Sequence, residues 1–129
     1  MALFHFNPAP FPQEPPLCRL CERPSKRFIT LRSNRKGNAG RPYYKCQPCG
    51  EFLCFADHRG NNPDNPPCYC GVSSKRQLAG RETGVPRGVH YVCRLGVCTF
   101  YQPHIGGSGK QVTVDDDDLV HCMIKLRIL

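Results

Sequence analysis

Apolar residues in this chain alternate with polar ones over short stretches of four or five positions. Arg27-Phe-Ile-Thr-Leu31 alternates and is rich in β-formers. Arg41-Pro-Tyr-Tyr-Lys-Cys46 carries an aromatic pair towards a cysteine, and Gly88-Val-His-Tyr-Val-Cys93 repeats the arrangement. Phe52-Leu-Cys-Phe55 and Thr99-Phe-Tyr101 read as the last strand of each group. Asn34-Arg-Lys-Gly-Asn-Ala-Gly40 reads as a turn. Helical periodicity is missing from both groups. The pattern predicts a small all-β protein of two tandem ribbons of short antiparallel strands.

Residues 1–16 have no periodicity and end in Pro15-Pro16, which predicts a disordered leader. The first unit is expected over 17–57 and the second over 68–103. Between them, 58–67 is polar and proline-stiffened and reads as a linker. Residues 104–129 open on Ile105-Gly-Gly-Ser-Gly109, pass through Asp115–Asp118 and end apolar; they read as an acidic, then apolar, disordered tail.

The chain has no Trp, seven Phe and five Tyr against 12 Gly and 13 Pro, so little is available for an apolar core. Units this short ordinarily need a metal, a disulfide or a partner. Eight of the ten cysteines form four close pairs, Cys18/Cys21, Cys46/Cys49, Cys68/Cys70 and Cys93/Cys98. Pairs one and two are 24 residues apart and pairs three and four 22, so one four-thiol unit is written twice. Tetrahedral zinc takes ligands in this two-plus-two pattern. Its binding contributes roughly 10–16 kcal/mol in small peptides, enough to fold such segments. The eight cysteines are therefore the expected ligands of two structural Zn2+ ions. Cys54 is an alternative fourth ligand of the first site; Cys49 is preferred because Cys46-Gln-Pro-Cys49 makes a compact knuckle. Cys54 and Cys122 read as ordinary apolar residues.

A secreted disulfide scaffold is the rival account of ten cysteines. The N-terminal residues lack a basic region followed by an apolar run, there is no Asn-x-Ser/Thr sequon, and no stretch approaches a membrane span. A reducing compartment, nucleus or cytoplasm, is expected instead.

The formal charge of +8 is concentrated between the ligand pairs. Arg19–Lys45 has a surplus of eight positive charges and Tyr69–Val97 a surplus of four. Two four-thiolate zinc sites would bring the total nearer +4 while the loops stay basic. Positive loops beside aromatic residues suit nucleic acid.

Gly40, Arg41, Tyr43, Tyr44 and Cys46, followed by Cys49, Phe52, Phe55, Ala56 and Asp57, resemble the signature of the GRF zinc finger family. The second unit follows with Cys68-Tyr-Cys70-Gly71, Arg87 to Cys93, and Cys98-Thr-Phe100-Tyr101. Residues 17 to about 103 most resemble tandem GRF-like zinc ribbons of the fungal type. The first unit opens CxxC where the family has CxC, Arg87 stands one place early, His90 replaces an aromatic, and the closing Trp is absent from both. The resemblance implies a crescent-shaped sheet and a grip on single-stranded DNA.

On this reading Arg32, Arg35, Lys36, Arg41, Tyr43, Lys45 and Arg87 are the candidate nucleic-acid contacts. Arg41 could equally brace the sheet, and of Tyr43 and Tyr44 one is expected to point into the core. Four sulfurs close each site, no His is followed by Glu two places on, and no phosphate-binding glycine loop occurs, so no enzyme activity is expected. The expected function is a zinc ion binding module for nucleic acid, single-stranded DNA favoured. The alternative is a zinc ribbon adaptor that binds a protein partner. Neither needs a membrane or a small-molecule substrate.

Overall fold

A computed structural model describes residues 8–31, 38–79, 85–114, 124 and 128. Six short strands appear: β1 (Lys26–Ile29), β2 (Pro42–Lys45), β3 (Phe52–Phe55), β4 (Lys75–Leu78), β5 (Val89–Val92) and β6 (Tyr101–Pro103). They form two antiparallel three-stranded sheets, β1-β2-β3 and β4-β5-β6. No helix among the described residues is long and apolar enough to cross a membrane.

β4 is the strand the sequence did not announce. Lys75-Arg-Gln-Leu78 has neither β-branched nor aromatic residues, yet it pairs in full with β5, Lys75 opposite Val92 and Leu78 opposite Val89. Tertiary pairing overrides its local preference. β6 starts two residues later than the expected Thr99–Tyr101.

Between β2 and β3 the register shifts at Tyr44/Lys45, where Tyr44 faces Cys54 and Lys45 faces Phe52. Leu53 is the extra residue. Such a bulge rotates the strand, so Phe52 and Phe55, three apart, both reach the ring of Tyr43. Leu53 and Cys54 turn inward and join Tyr44 and Ala56 in the first core cluster.

The segment 8–16 departs from the expected disordered leader. Phe11 packs on the first core and meets His58 edge-on at 4.8 Å. Tyr44 Oη donates to Pro12 O at 2.8 Å, and Arg94 Nη1, from the second unit, donates to Pro10 O. Buried side chains needed a lid, and this proline-rich stretch supplies unpaired carbonyls to cap them. The tail also departs from expectation over 104–114. Val112 N donates to His104 O and Val89 N to Val112 O, so this stretch folds back as a hairpin along β5. The glycines of 106–109 form its turn. Val114 and a fully buried Ile128 complete the second core with Val89. The aspartates 115–118 and Cys122 lie outside the described residues.

Residues 58–67 form a junction between the sheets. Gly60 has φ +77°, and a Cβ there would sit 2.0 Å from Arg76 O. Arg76 N donates to Gly60 O at 2.9 Å. Asn65 Nδ2 donates to both Gly60 O and Ser74 O at 2.8 Å, fastening the second unit to the first.

Candidate metal centres and nucleic-acid interface

In the first unit, Cys18 and Cys21 sit on a turn before β1, closed by Glu22 N donating to Cys18 O at 2.9 Å. Cys46 and Cys49 sit on the β2–β3 turn, where Gly50 N donates to Cys46 O at 2.8 Å. The second unit repeats this with Gly71 N to Cys68 O and Gly96 N to Cys93 O. Two knuckles therefore face each other in each ribbon.

Their sulfurs converge. Cys18, Cys21, Cys46 and Cys49 place all four Sγ atoms within 4.8 Å of one another, and Cys68, Cys70, Cys93 and Cys98 do the same. A tetrahedron with Zn–S of about 2.3 Å has edges of about 3.8 Å, which this spacing fits. Cys21 and Cys46 Sγ are 3.5 Å apart, far beyond a disulfide's ~2.05 Å. The Leu20 and Cys70 amides point at Cys18 and Cys68 Sγ at 3.4 Å, the donors that steady zinc-bound sulfur. Thiol acidities reflect the same crowding. Burial pushes the Cys18 thiol up, but the backbone N–H groups of Cys21 and Leu20 outweigh it and bring it down to about 7. Hydrogen bonding with the Cys21 thiol pushes Cys49 up to about 12. Four crowded thiols share protons that one divalent cation would displace. The protein thus has two four-cysteine centres for two structural zinc ions. Cys54 is not among them: it is buried in β3 and its thiol is pushed up to about 12 by desolvation.

The candidate nucleic-acid contacts fare differently. Arg32, Arg35 and Lys36 lie outside the described residues. Arg41 is buried, as a brace: Nε and Nη2 grip the Asp57 carboxylate at 2.7 and 2.9 Å, Nη1 donates to Asn38 Oδ1 at 3.0 Å, and the guanidinium lies 3.7 Å over Phe55. Arg87 is also buried, with φ +57° and its carbonyl accepting from Val114 N. Neither side chain is presented to a strand of phosphates.

Tyr43 and Lys45 are placed where a ligand can reach. Tyr43 stacks on Phe28 at 5.6 Å and touches Phe52 at 5.7 Å and Phe55 at 6.5 Å, making one four-ring face on the first sheet. Tyr44 points to the opposite face and is core. A groove of about 310 Å³ runs over this surface, lined by Tyr43, Lys45, Phe52 and Phe55 with Thr30 and Asn38. Lys26 stands directly opposite Lys45 in the register. The sequence reading missed Phe28, Lys26 and the grouping of Phe52 with Phe55. The alternation in β1 marked Phe28, but the bulge that unites the rings leaves no composition signal.

The family model of the GRF-like zinc ribbon domain matches residues 15–59. Over those residues the chain is similar to a GRF-like zinc ribbon. The match spans the first four-cysteine centre and reaches past the half-buried Asp57 that Arg41 holds. No curated protein matches the chain. Among solved structures, the human NEIL3 tandem zinc finger GRF domains are similar at 26% identity, over 69% of this chain and 97% of that one, with a TM-score of 0.28. The second ribbon repeats the GRF-like unit's three strands and four sulfurs.

Proposed function

We propose that this zinc ribbon protein binds single-stranded nucleic acid, DNA in preference, on the four-ring face of its first sheet. The observation that carries the reading is the juxtaposition of Phe28, Tyr43, Phe52 and Phe55 with the cross-strand pair Lys26 and Lys45. Like charges directly opposite each other destabilise a sheet. An anion between them removes that cost, and a phosphate beside stackable rings supplies both needs. Duplex DNA hides its base faces, so the surface suits an unpaired strand. Preference for DNA follows from the family resemblance. Arg32, Arg35 and Lys36, which follow β1 in the sequence, add three further positive charges. The zinc ions are structural in this reading, because four thiolates leave no position for a substrate, and the protein is a binding module and not a catalyst.

Fluorescence anisotropy with labelled single- and double-stranded oligonucleotides tests it. Three to five neutralised phosphates give a slope of log affinity against log salt of roughly −2 to −3.5. Phe52→Ala should weaken binding by about 1–3 kcal/mol, the worth of one stacked base. Undetectable binding, or binding indifferent to salt, would overturn the proposal.

A further inference from the structure

The two sheets repeat one face. In the first, Lys26 opposes Lys45 and Phe28 opposes Tyr43, and Cys46 follows Lys45. In the second, Lys75 opposes Val92 and Gln77 opposes His90, and Cys93 follows Val92. Paired residues, and residues two apart on a strand, share a face. His90 therefore stands where Tyr43 stands, and Val92 where Lys45 stands. Tyr101, opposite Val92 in β6, lies on that face as well. Its ring stacks on His90 at 5.0 Å and 28°, as Tyr43 stacks with Phe28 at 5.6 Å and 23°. The imidazole is buried, so Tyr101 is backed from inside and 55% exposed outside.

The two faces also meet. A groove of about 380 Å³ lies between the ribbons, with Arg19, Glu51, Phe52, Phe100 and Tyr101 among its lining. Phe52, itself 38% exposed, lines the groove over the four-ring face too, so the grooves are continuous at that ring. The equivalence ends at the charge. Lys75, the counterpart of Lys26, is fully buried and donates to Asp57 and Asn61, and Val92 replaces Lys45. Arg19 commits its guanidinium to Glu51 Oε1 at 2.8 Å, Phe52 O at 2.9 Å and Gly96 O at 3.2 Å. The second face thus offers rings beside an ion pair that is already neutral, which suits a base and not a phosphate.

We propose that a strand held at Lys26 and Lys45 continues past Phe52 into the inter-ribbon groove and stacks a base on Tyr101. Tyr101 is then a second binding site, which adds a ring contact and no phosphate contact. This rests on the nucleic-acid reading above and extends it to both ribbons. Every base has a π-face, so the second site is indifferent to sequence.

The test measures anisotropy with labelled oligothymidylates of about 4 and about 12 nucleotides, lengths within the range that small β folds cover. Tyr101→Ala should weaken the longer strand about tenfold, the worth of one stacked base, and leave the shorter one at wild-type affinity. The salt slope for the longer strand should not change, because no phosphate contact is lost. Tyr101→Phe keeps the ring and should bind as the wild type does. On the ligand side, abasic replacement at one of the two ends of the longer strand leaves its phosphates intact. It should cost the wild type the same tenfold and Tyr101→Ala nothing further. If Tyr101→Ala spares the longer strand, or weakens both lengths alike, the second site is wrong and the lysine face survives. If neither strand binds, the nucleic-acid reading falls and the second site with it.

Discussion

Asp57 is the residue on which most of the buried charge turns. It accepts two hydrogen bonds from Arg41, and Lys75 Nζ reaches its Oδ1 at 3.0 Å and its carbonyl at 2.9 Å. Lys75 is fully buried, with Asn61 Oδ1 at 3.0 Å as its third partner, so all three ammonium protons are used. Desolvation would raise the Asp57 pKa, but the Arg41 hydrogen bonds and the Lys75 charge hold it below the usual carboxylate range. Removing the carboxylate strands two buried cations. Asp57→Ala is expected to lose about 3–5 kcal/mol, read by urea unfolding in excess zinc; a loss under about 1 kcal/mol would mean that the cluster is not buried as described. Burial also draws Lys75 down to about 8. Between about pH 8 and 10 the unfolded chain still holds that proton and the folded one releases it. The stability of the wild type relative to Lys75→Met should therefore rise over that window. Arg41 illustrates what the sequence could and could not tell. Its type and place beside aromatics were visible, but its partner sits 16 residues away, and only folding reveals that it braces the sheet.

At the level of the element, the knuckle decides whether a strand exists. Each short strand has few side chains to bury, and a quartet of sulfurs fixes the turns that align it. Cys49→Ser should reduce bound zinc from two ions to one and release the β1-β2-β3 sheet, seen as lost amide protection over 26–29, 42–45 and 52–55. Retention of two ions would show that another group closes the first site. Cys54 gives a converse check. With its thiol buried and pushed up to about 12, it should resist iodoacetamide at about pH 8 until the protein is unfolded. The cysteine spacing made both centres legible from sequence, because ligand pairs and their turns are local. β4 and the β2–β3 bulge were not legible, because each is imposed by a partner strand.

Across the whole molecule, the two ribbons are joined closely. A Cβ on Gly96 would come within 3.0 Å of Cys54 Sγ and Leu53 O, so the second knuckle of one ribbon lies against β3 of the other. Residues 8–12 and Asn61, Asn65 and Lys75 tie the same seam. The stretch read as a linker is a joint anchored by buried Gly60, Asn61 and Asn65, which no composition rule distinguishes from a flexible one. Gly60→Ala meets both a left-handed backbone and the Arg76 carbonyl, and should cost upward of about 2 kcal/mol. In calorimetry the wild type should melt in one transition and this variant in two, or at lower temperature; a variant melt identical to the wild type would contradict the joint.

Native mass spectrometry of the protein purified without added metal bears most directly on the metal-built fold. The expected spectrum is a compact charge-state distribution at the polypeptide mass plus two zinc ions, with the eight thiols of the two quartets protected from alkylation until a chelator is added. A compact species at the bare polypeptide mass, with those same thiols freely alkylated, would contradict it.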